Sequence, residues 1–282
     1  MTPSAVSGAR TLGDFSGTLV LVGAGKMGGA MLEAWLAIGL QPKSAVVLEP
    51  QPTGELAALA TRGLQLNPAS SAAREAAAIV LAIKPQAAPT VVPTLAPYIG
   101  ASTVVLSIMA GRTLAFLEAS LGQRTALVRA MPNTPAAIGR GITVAVPNAR
   151  VSERQCELVH TLLAATGAVE WVTDEALMDA VTAVSGSGPA YVFLLADALA
   201  QAGAAAGLPH ELAGKLARAT VAGSGELLHR SPVDPAALRQ NVTSPGGTTA
   251  AALDVLMAAD GLASLMNRAV AAATRRSREL AG

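Results

Sequence analysis

From Thr18 to Val172 the chain alternates short β-rich runs, most of them continuously apolar, with longer Ala-rich stretches; the runs occupy 19–22, 45–49, 79–83, 104–108, 127–131, 143–146 and 169–172. A strand with one wet face alternates apolar and polar side chains, whereas a strand covered on both faces is apolar throughout. The pattern therefore predicts βαβ units forming a mostly parallel sheet with helices on both sides. After Val172 the β-branched runs stop, and Ala/Leu-rich helical segments follow, broken by Gly and Pro at 185–189, 207–209, 231–235 and 244–247. The organisation expected is a flexible extension over 1–18, an α/β domain over 19–172 and an all-α domain over 173–282.

Composition narrows the function classes. Hydrophobic residues make up 51% of the 282 positions, but they are largely alanine and are interrupted by charge, Gly or Pro. The run 190–208 contains Asp197 and Gln201, and a spanning helix needs about 20 predominantly apolar residues with few or no charges. It is read as a helix buried at an interface, with no membrane span. Residues 1–18 carry Arg10 and Asp14 and lack the apolar stretch of a secretory signal. The single cysteine, Cys156, excludes an internal disulfide and fits the cytoplasm. A net charge of +1 without a Lys/Arg block, and 2% aromatics, give no footprint for nucleic acid. Helices this rich in Ala and Leu are expected to bury some faces against another chain.

The strongest local signal is "TLVLVGAGKMGGAMLEAWL", where a strand runs into Gly23, Gly25 and Gly28 and then into a helix. Gly23 suits the tight turn, Gly25 the approach of a pyrophosphate to the backbone, and Gly28 close packing of helix on strand. With Ala24, Lys26 and Met27 this turn presents a helix N-terminus to phosphates, the arrangement of a Rossmann-type dinucleotide-binding domain. Glu49 ends the next strand about twenty residues further on, where a carboxylate accepts from ribose hydroxyls and repels the extra phosphate of NADPH. That chemistry favours NADH; a solvated glutamate at a strand end is the alternative.

Other motifs follow. "VLAIKPQ" brings Ala82, Lys84 and Pro85 to the ligand-binding edge of the sheet. "SIMAG" ends another strand, and in "VRAMPNTPAAIGRG" two prolines stiffen a loop that presents Asn133 and Thr134. In the helical half, "NVTSPGGTTAAALDVL" places Ser244, Gly246 and Gly247 just before a helix that opens with Thr248 and Thr249, a ready site for a carboxylate. Ser244 or Thr248 acting only as the helix cap is the alternative.

Taken in order, "GAGKMG", "AIKP", "SIMAG", "MPNTP", "SGSGPAY" and "SPGGTT" resemble the pyrroline-5-carboxylate reductase family from about Leu19 to the C-terminal "RRSREL". The resemblance implies a Rossmann-type domain binding NADP(H) or NAD(H), an α-helical domain that pairs subunits into a homodimer or larger homo-oligomer, and a substrate site where the two meet. It implies reduction of 1-pyrroline-5-carboxylate to L-proline, the final step of proline synthesis. Ser244, Gly246, Gly247, Thr248 and Thr249 match the family's substrate-carboxylate loop; Asn133 and the backbone near Ala82, Lys84 and Pro85 match its nicotinamide pocket. Thr249 and Thr248 are the hydroxyls expected to orient the ring nitrogen. Members of the family commonly follow the second strand with small polar or basic residues, whereas this chain has "VVLEPQ".

Competing chemistries lack their residues. There is no H-E-x-x-H, and Cys156 with His160 supplies only two ligands, so no metal site is expected. "SGSG" and "GSGE" lack the spacing of a hydrolase nucleophile elbow. Asp174, Glu175 and Asp179 are expected to complement a helix dipole. A β-hydroxyacid dehydrogenase-like reductase also joins a glycine turn to helices, but it carries a lysine on the first helices of its second domain, where this chain has none before Lys215. A cofactor-binding sensor without turnover is the reading from outside the enzymes.

Overall fold

The computed structural model describes residues 11–69 and 74–281. Among these, eight strands form one sheet: β1 (Leu19–Val22), β2 (Ala45–Leu48), β3 (Gln65–Leu66), β4 (Ala78–Leu81), β5 (Val104–Ser107), β6 (Ala126–Met131), β7 (Gly141–Pro147) and β8 (Gly167–Trp171). Their order is β3-β2-β1-β4-β5-β6-β7-β8, parallel throughout except that β7 runs antiparallel to β6. β1 pairs with β2 on one side and with β4 on the other. The strand order reverses beside it, and such a switch point opens a crevice at the carboxyl ends of the strands.

The continuous apolar runs now have their cause. Leu19 and Leu21 point into one core with Met31, Leu32 and Trp35 of α1 (Lys26–Ala37), Leu56 of α2 (Gly54–Ala60) and Val159, Leu162 and Leu163 from the helix Glu153–Ala164. Val20 and Val22 point into a second core with Ala88 of α3 (Ala88–Val91) and with Leu114 and Leu117 of α4 (Leu114–Leu121). Trp35 is fully buried and its Nε1 donates to the Leu162 carbonyl at 2.8 Å, tying α1 to α5 (Glu153–Ala164).

After β8 a short helix, α6 (Met178–Val181), runs through a π-helical turn over Thr182–Gly186 into α7 (Gly188–Ala205). α8 (His210–Arg230), α9 (Pro235–Asn241), α10 (Thr248–Leu256) and α11 (Leu262–Ala281) complete the chain. Packing divides it into two compact units, Ser187–Ala273 and the remainder. In the helical unit Ala213 and Ala217 are the only described residues that are buried, while Phe193 and Leu194 on α7 are 67% and 66% exposed and Val255 on α10 is 72% exposed. The unit has almost no core of its own. By length and composition the stretch Glu175–Ala205 could also cross a membrane.

Several expectations are corrected. β3 falls outside every run read from the sequence, because a two-residue strand carries no periodicity. The extension is packed from Leu12, which is 3% exposed in the core and donates its N–H to Ile38; residues 1–10 lie outside the described set. The strands end near 172, but Met178 and Ala183 are buried with the sheet unit, so packing divides the chain at 186. The last turns of α11 also belong to the sheet unit, where Ser277 Oγ donates to Asp179 at 2.7 Å. Asp174 does cap its helical turn by accepting the Ala176 N–H. Glu175 instead accepts the Leu114 N–H at 2.9 Å and pairs with Arg129 at 2.8 Å, and the Arg129 side chain is only 5% exposed. The acidic cluster is thus tertiary glue.

Removing one member of a pair leaves the buried Arg129 charge uncompensated, and with Glu175 partly exposed, Glu175→Gln is expected to lower unfolding stability by about 2–3 kcal/mol, the upper part of the range for a buried group losing its partner. Urea unfolding of variant and parent, compared at equal slope, measures it; a change within error would show that Arg129 does not depend on this partner.

Candidate active site

The candidate site begins where β1 ends. Gly23 has φ +88°, and a Cβ there would lie 2.7 Å from the Ala82 carbonyl oxygen. At Gly28 a Cβ would collide with the Gly23 carbonyl and come to 3.1 Å from the Ala82 Cβ. These two glycines let α1 start directly on the β1–β4 edge. Gly25 differs, because a Cβ there would meet no protein atom within 4 Å. The space above it is available to a ligand, not taken up by packing. Gly25 is also the N-cap of α1 and offers no side chain, so the first N–H groups of Lys26, Met27 and Gly28 have no side-chain cap. An anion at this end of the helix is favoured by those donors and by the dipole.

Glu49 follows β2 directly. Its Oε2 accepts the Ala24 N–H at 2.8 Å and its Oε1 the Gln51 N–H at 3.0 Å. The carboxylate is thus joined to the glycine turn, with acceptor capacity left over. A cleft of about 790 Å³ runs from Ala24, Gly25 and Lys26 to Thr53, Leu56 and Arg62. Another, of about 800 Å³, lies at the amino ends of the strands near Thr103 and Thr125. The first is the candidate, since ligands of parallel sheets sit at carboxyl ends. Room at Gly25, uncapped helix donors and a nearby carboxylate acceptor together suit a dinucleotide.

Ala82 follows β4, donating its N–H to Val22 at 2.8 Å. Lys84 is exposed, and Pro85 opens a 3-10 turn over Pro85–Ala87. Arg112, which the sequence reading passed over, holds this turn: its Nε and Nη2 both donate to the Pro85 carbonyl, at 3.0 and 2.7 Å, while its guanidinium lies 4.5 Å from the Phe116 ring centroid. Nothing local in the sequence marks it, because its partner lies 27 positions away. Asn133 precedes a 3-10 turn, Thr134–Ile138, that packs on α1. Its Oδ1 accepts the Ile142 N–H at 3.0 Å, which orients the amide so that Nδ2 is the end left to donate.

A second helix start without a side-chain cap lies within the helical unit. Ser244 accepts the Gly247 N–H at 3.0 Å across a turn in which Gly246 has φ +69°. The N-cap of α10 is Gly247, with no side-chain cap. Neither Ser244 nor Thr248 serves as the cap, so the capping alternative does not hold. The amides of Thr248 and Thr249 thus begin a helix that no side chain closes. Elsewhere Cys156 is buried, which pushes its thiol pKa up, and His160 Nδ1 accepts from Trp171 Nε1 at 3.2 Å. Among the described residues no group of three or more His, Cys, Asp or Glu is placed to hold a metal.

Comparison with known proteins gives a consistent picture. Residues 175–280 match the family model described as pyrroline-5-carboxylate reductase dimerisation, and residues 18–111 match NADP oxidoreductase coenzyme F420-dependent. The chain is 41% identical over 266 residues to a pyrroline-5-carboxylate reductase of Pseudomonas aeruginosa, covering 93% of this chain and 96% of that one. A pyrroline-5-carboxylate reductase structure from Coxiella burnetii superposes with TM-score 0.86 at 33% identity, over 94% of this chain and 99% of that one. A Plasmodium falciparum pyrroline carboxylate reductase with NADP bound gives TM-score 0.80 at 29% identity, over 95% and 99%.

Arg112→Ala releases the Pro85 carbonyl, and binding of a reduced nicotinamide dinucleotide is expected to weaken roughly tenfold, about 1.4 kcal/mol. Titration of cofactor fluorescence checks this; unchanged affinity in a folded variant would remove Arg112 from the site.

Proposed function

This chain belongs to the pyrroline-5-carboxylate reductase family, and on that premise we propose that it reduces 1-pyrroline-5-carboxylate to L-proline with NAD(P)H, the last step of proline synthesis. The observation that carries the reading at the level of residues is the uncapped start of α10. The turn around Gly246 and Gly247 binds the substrate carboxylate there through backbone amides, as an anion at a helix N-terminus requires. Ser244 lies at the rim of the same turn.

A nicotinamide cofactor supplies the hydride that reduces the C=N carbon. The chain supplies grip and alignment. Gly23, Ala24, Gly25, Lys26, Met27 and Gly28 form the turn that takes the pyrophosphate, and Glu49 receives the adenine ribose. Ala82, Lys84, Pro85 and Asn133 line the nicotinamide pocket. Asn133 has its amide oxygen tied to Ile142 and so faces the ligand as a donor. A protonated imine is the better hydride acceptor, but a threonine hydroxyl is a poor acid. Thr249, with Thr248 beside it, therefore orients the ring nitrogen by a hydrogen bond, and water delivers the proton.

The apolar face of α7 is assigned to a second copy of this chain, in keeping with the match of 175–280 to a dimerisation family and with the near absence of a core in the helical unit. We place the homo-oligomer in the cytoplasm, bound to neither membrane nor nucleic acid: the single cysteine forms no internal disulfide, the net charge of +1 includes no Lys/Arg block, and the apolar run of α7 is interrupted by Asp197 and Gln201.

Mixing the protein with pyrroline-5-carboxylate and either reduced cofactor is expected to bleach the nicotinamide absorbance. Silence with both would leave the non-catalytic sensor as the better reading. Thr249→Ala is expected to lower turnover about tenfold, or ~1.4 kcal/mol of barrier; a parental rate would strip the hydroxyl of its role. Phe193→Asp puts a charge on the exposed face of α7, and sedimentation should show a smaller assembly than the parent; an unchanged assembly would move the interface elsewhere.

A further inference from the structure

Asn67 is the one non-glycine residue among those described with left-handed backbone, at φ 46°. Few side chains tolerate that region, Asn better than most. The residue stands just past β3, and its N–H donates to Val47 at 2.9 Å, continuing the pairing of β3 with β2. Its side chain then takes the place of the next strand residue. Oδ1 accepts the Glu49 N–H at 2.8 Å, and Nδ2 donates to the Glu49 carbonyl at 2.8 Å. A two-residue strand is thereby extended to hold the one position that follows β2.

That position carries the carboxylate joined to the Ala24 N–H. A glutamate on an unpaired strand end samples several rotamers and backbone angles. Here its backbone is fixed by the Asn67 amide and its carboxylate by the Ala24 and Gln51 amides. A pre-positioned acceptor beside the glycine turn favours a ribose bearing free hydroxyls and repels a phosphate in their place. We propose that Asn67 is a positioning residue for cofactor choice: by pairing with both backbone groups of Glu49 it makes the carboxylate select NADH over NADPH. The inference rests on the reading of the glycine turn as the dinucleotide site.

The test is fluorescence titration of NADH and NADPH, which needs no turnover, on the full-length protein and its variants. The parent is expected to bind NADH more tightly. Asn67→Gly keeps the left-handed backbone accessible and removes only the amide, so the ratio of the two Kd values should fall about tenfold while the melting temperature stays near the parent's. In Glu49→Gln, adding Asn67→Gly should change the ratio no further, because the two residues act as one unit. An unchanged ratio in Asn67→Gly, alongside a shifted one in Glu49→Gln, would overturn the role of Asn67. A parent that strongly prefers NADPH would overturn the selection by Glu49. Failure to bind either dinucleotide would overturn the glycine-turn reading itself, and with it this inference.

Discussion

The contact of α1 with the turn that precedes it is the constraint from which the site follows. A helix can begin on the very edge of a parallel sheet only if nothing projects between its first turn and the strand. Here Gly28 lies against the Gly23 carbonyl and Ala82 with no room for a Cβ. Because the helix starts so close, its free amides lie at the switch point between β1 and β4. Glu49, Pro85 and Asn133 reach the same edge from three further elements, and each is held in place by a backbone hydrogen bond. A methyl group at position 28 would have to displace the Gly23 carbonyl, and with it the turn that carries the Ala24 N–H bonded to Glu49.

The helical unit is built on a different principle. With Ala213 and Ala217 alone buried, it has little apolar area removed from water to offset the entropy of ordering its backbone. Small residues let α7 and α8 approach closely: a Cβ on Gly203 would lie 3.4 Å from that of Ala213. The larger side chains, Phe193, Leu194 and Leu195, stay outside. If that surface meets a second copy, as proposed above, stability would depend on protomer concentration.

What could be read from the sequence follows the range of each interaction. β1, β2, β4, β5 and β6 were legible because burial on both faces leaves an apolar run, β7 and β8 through their β-branched and aromatic residues despite half-exposed positions, and the glycine turn because its glycines follow a strand and open a helix at fixed spacing. β3 was not, since Gln65 and Leu66 are too few to show a period. Arg112 and Asn67 were missed because their partners lie 27 and 18 residues away and are backbone atoms, which leave no trace in residue type. The pair Asn67–Pro68 did offer a turn signal, although not its target. Glu175 and Asp179 looked like helix-dipole partners, and only the fold brings Arg129 and Ser277 to them.

The return of α11 has a temporal side. The turns from Thr274 onward pack with the sheet unit, Ser277 on Asp179 and Leu280 beside Gly111. The Rossmann-type unit is thus completed by a segment that lies beyond the whole helical unit in the chain, and Asp179 and the loop at Gly111 stay uncovered until residues 98 positions further on have folded back.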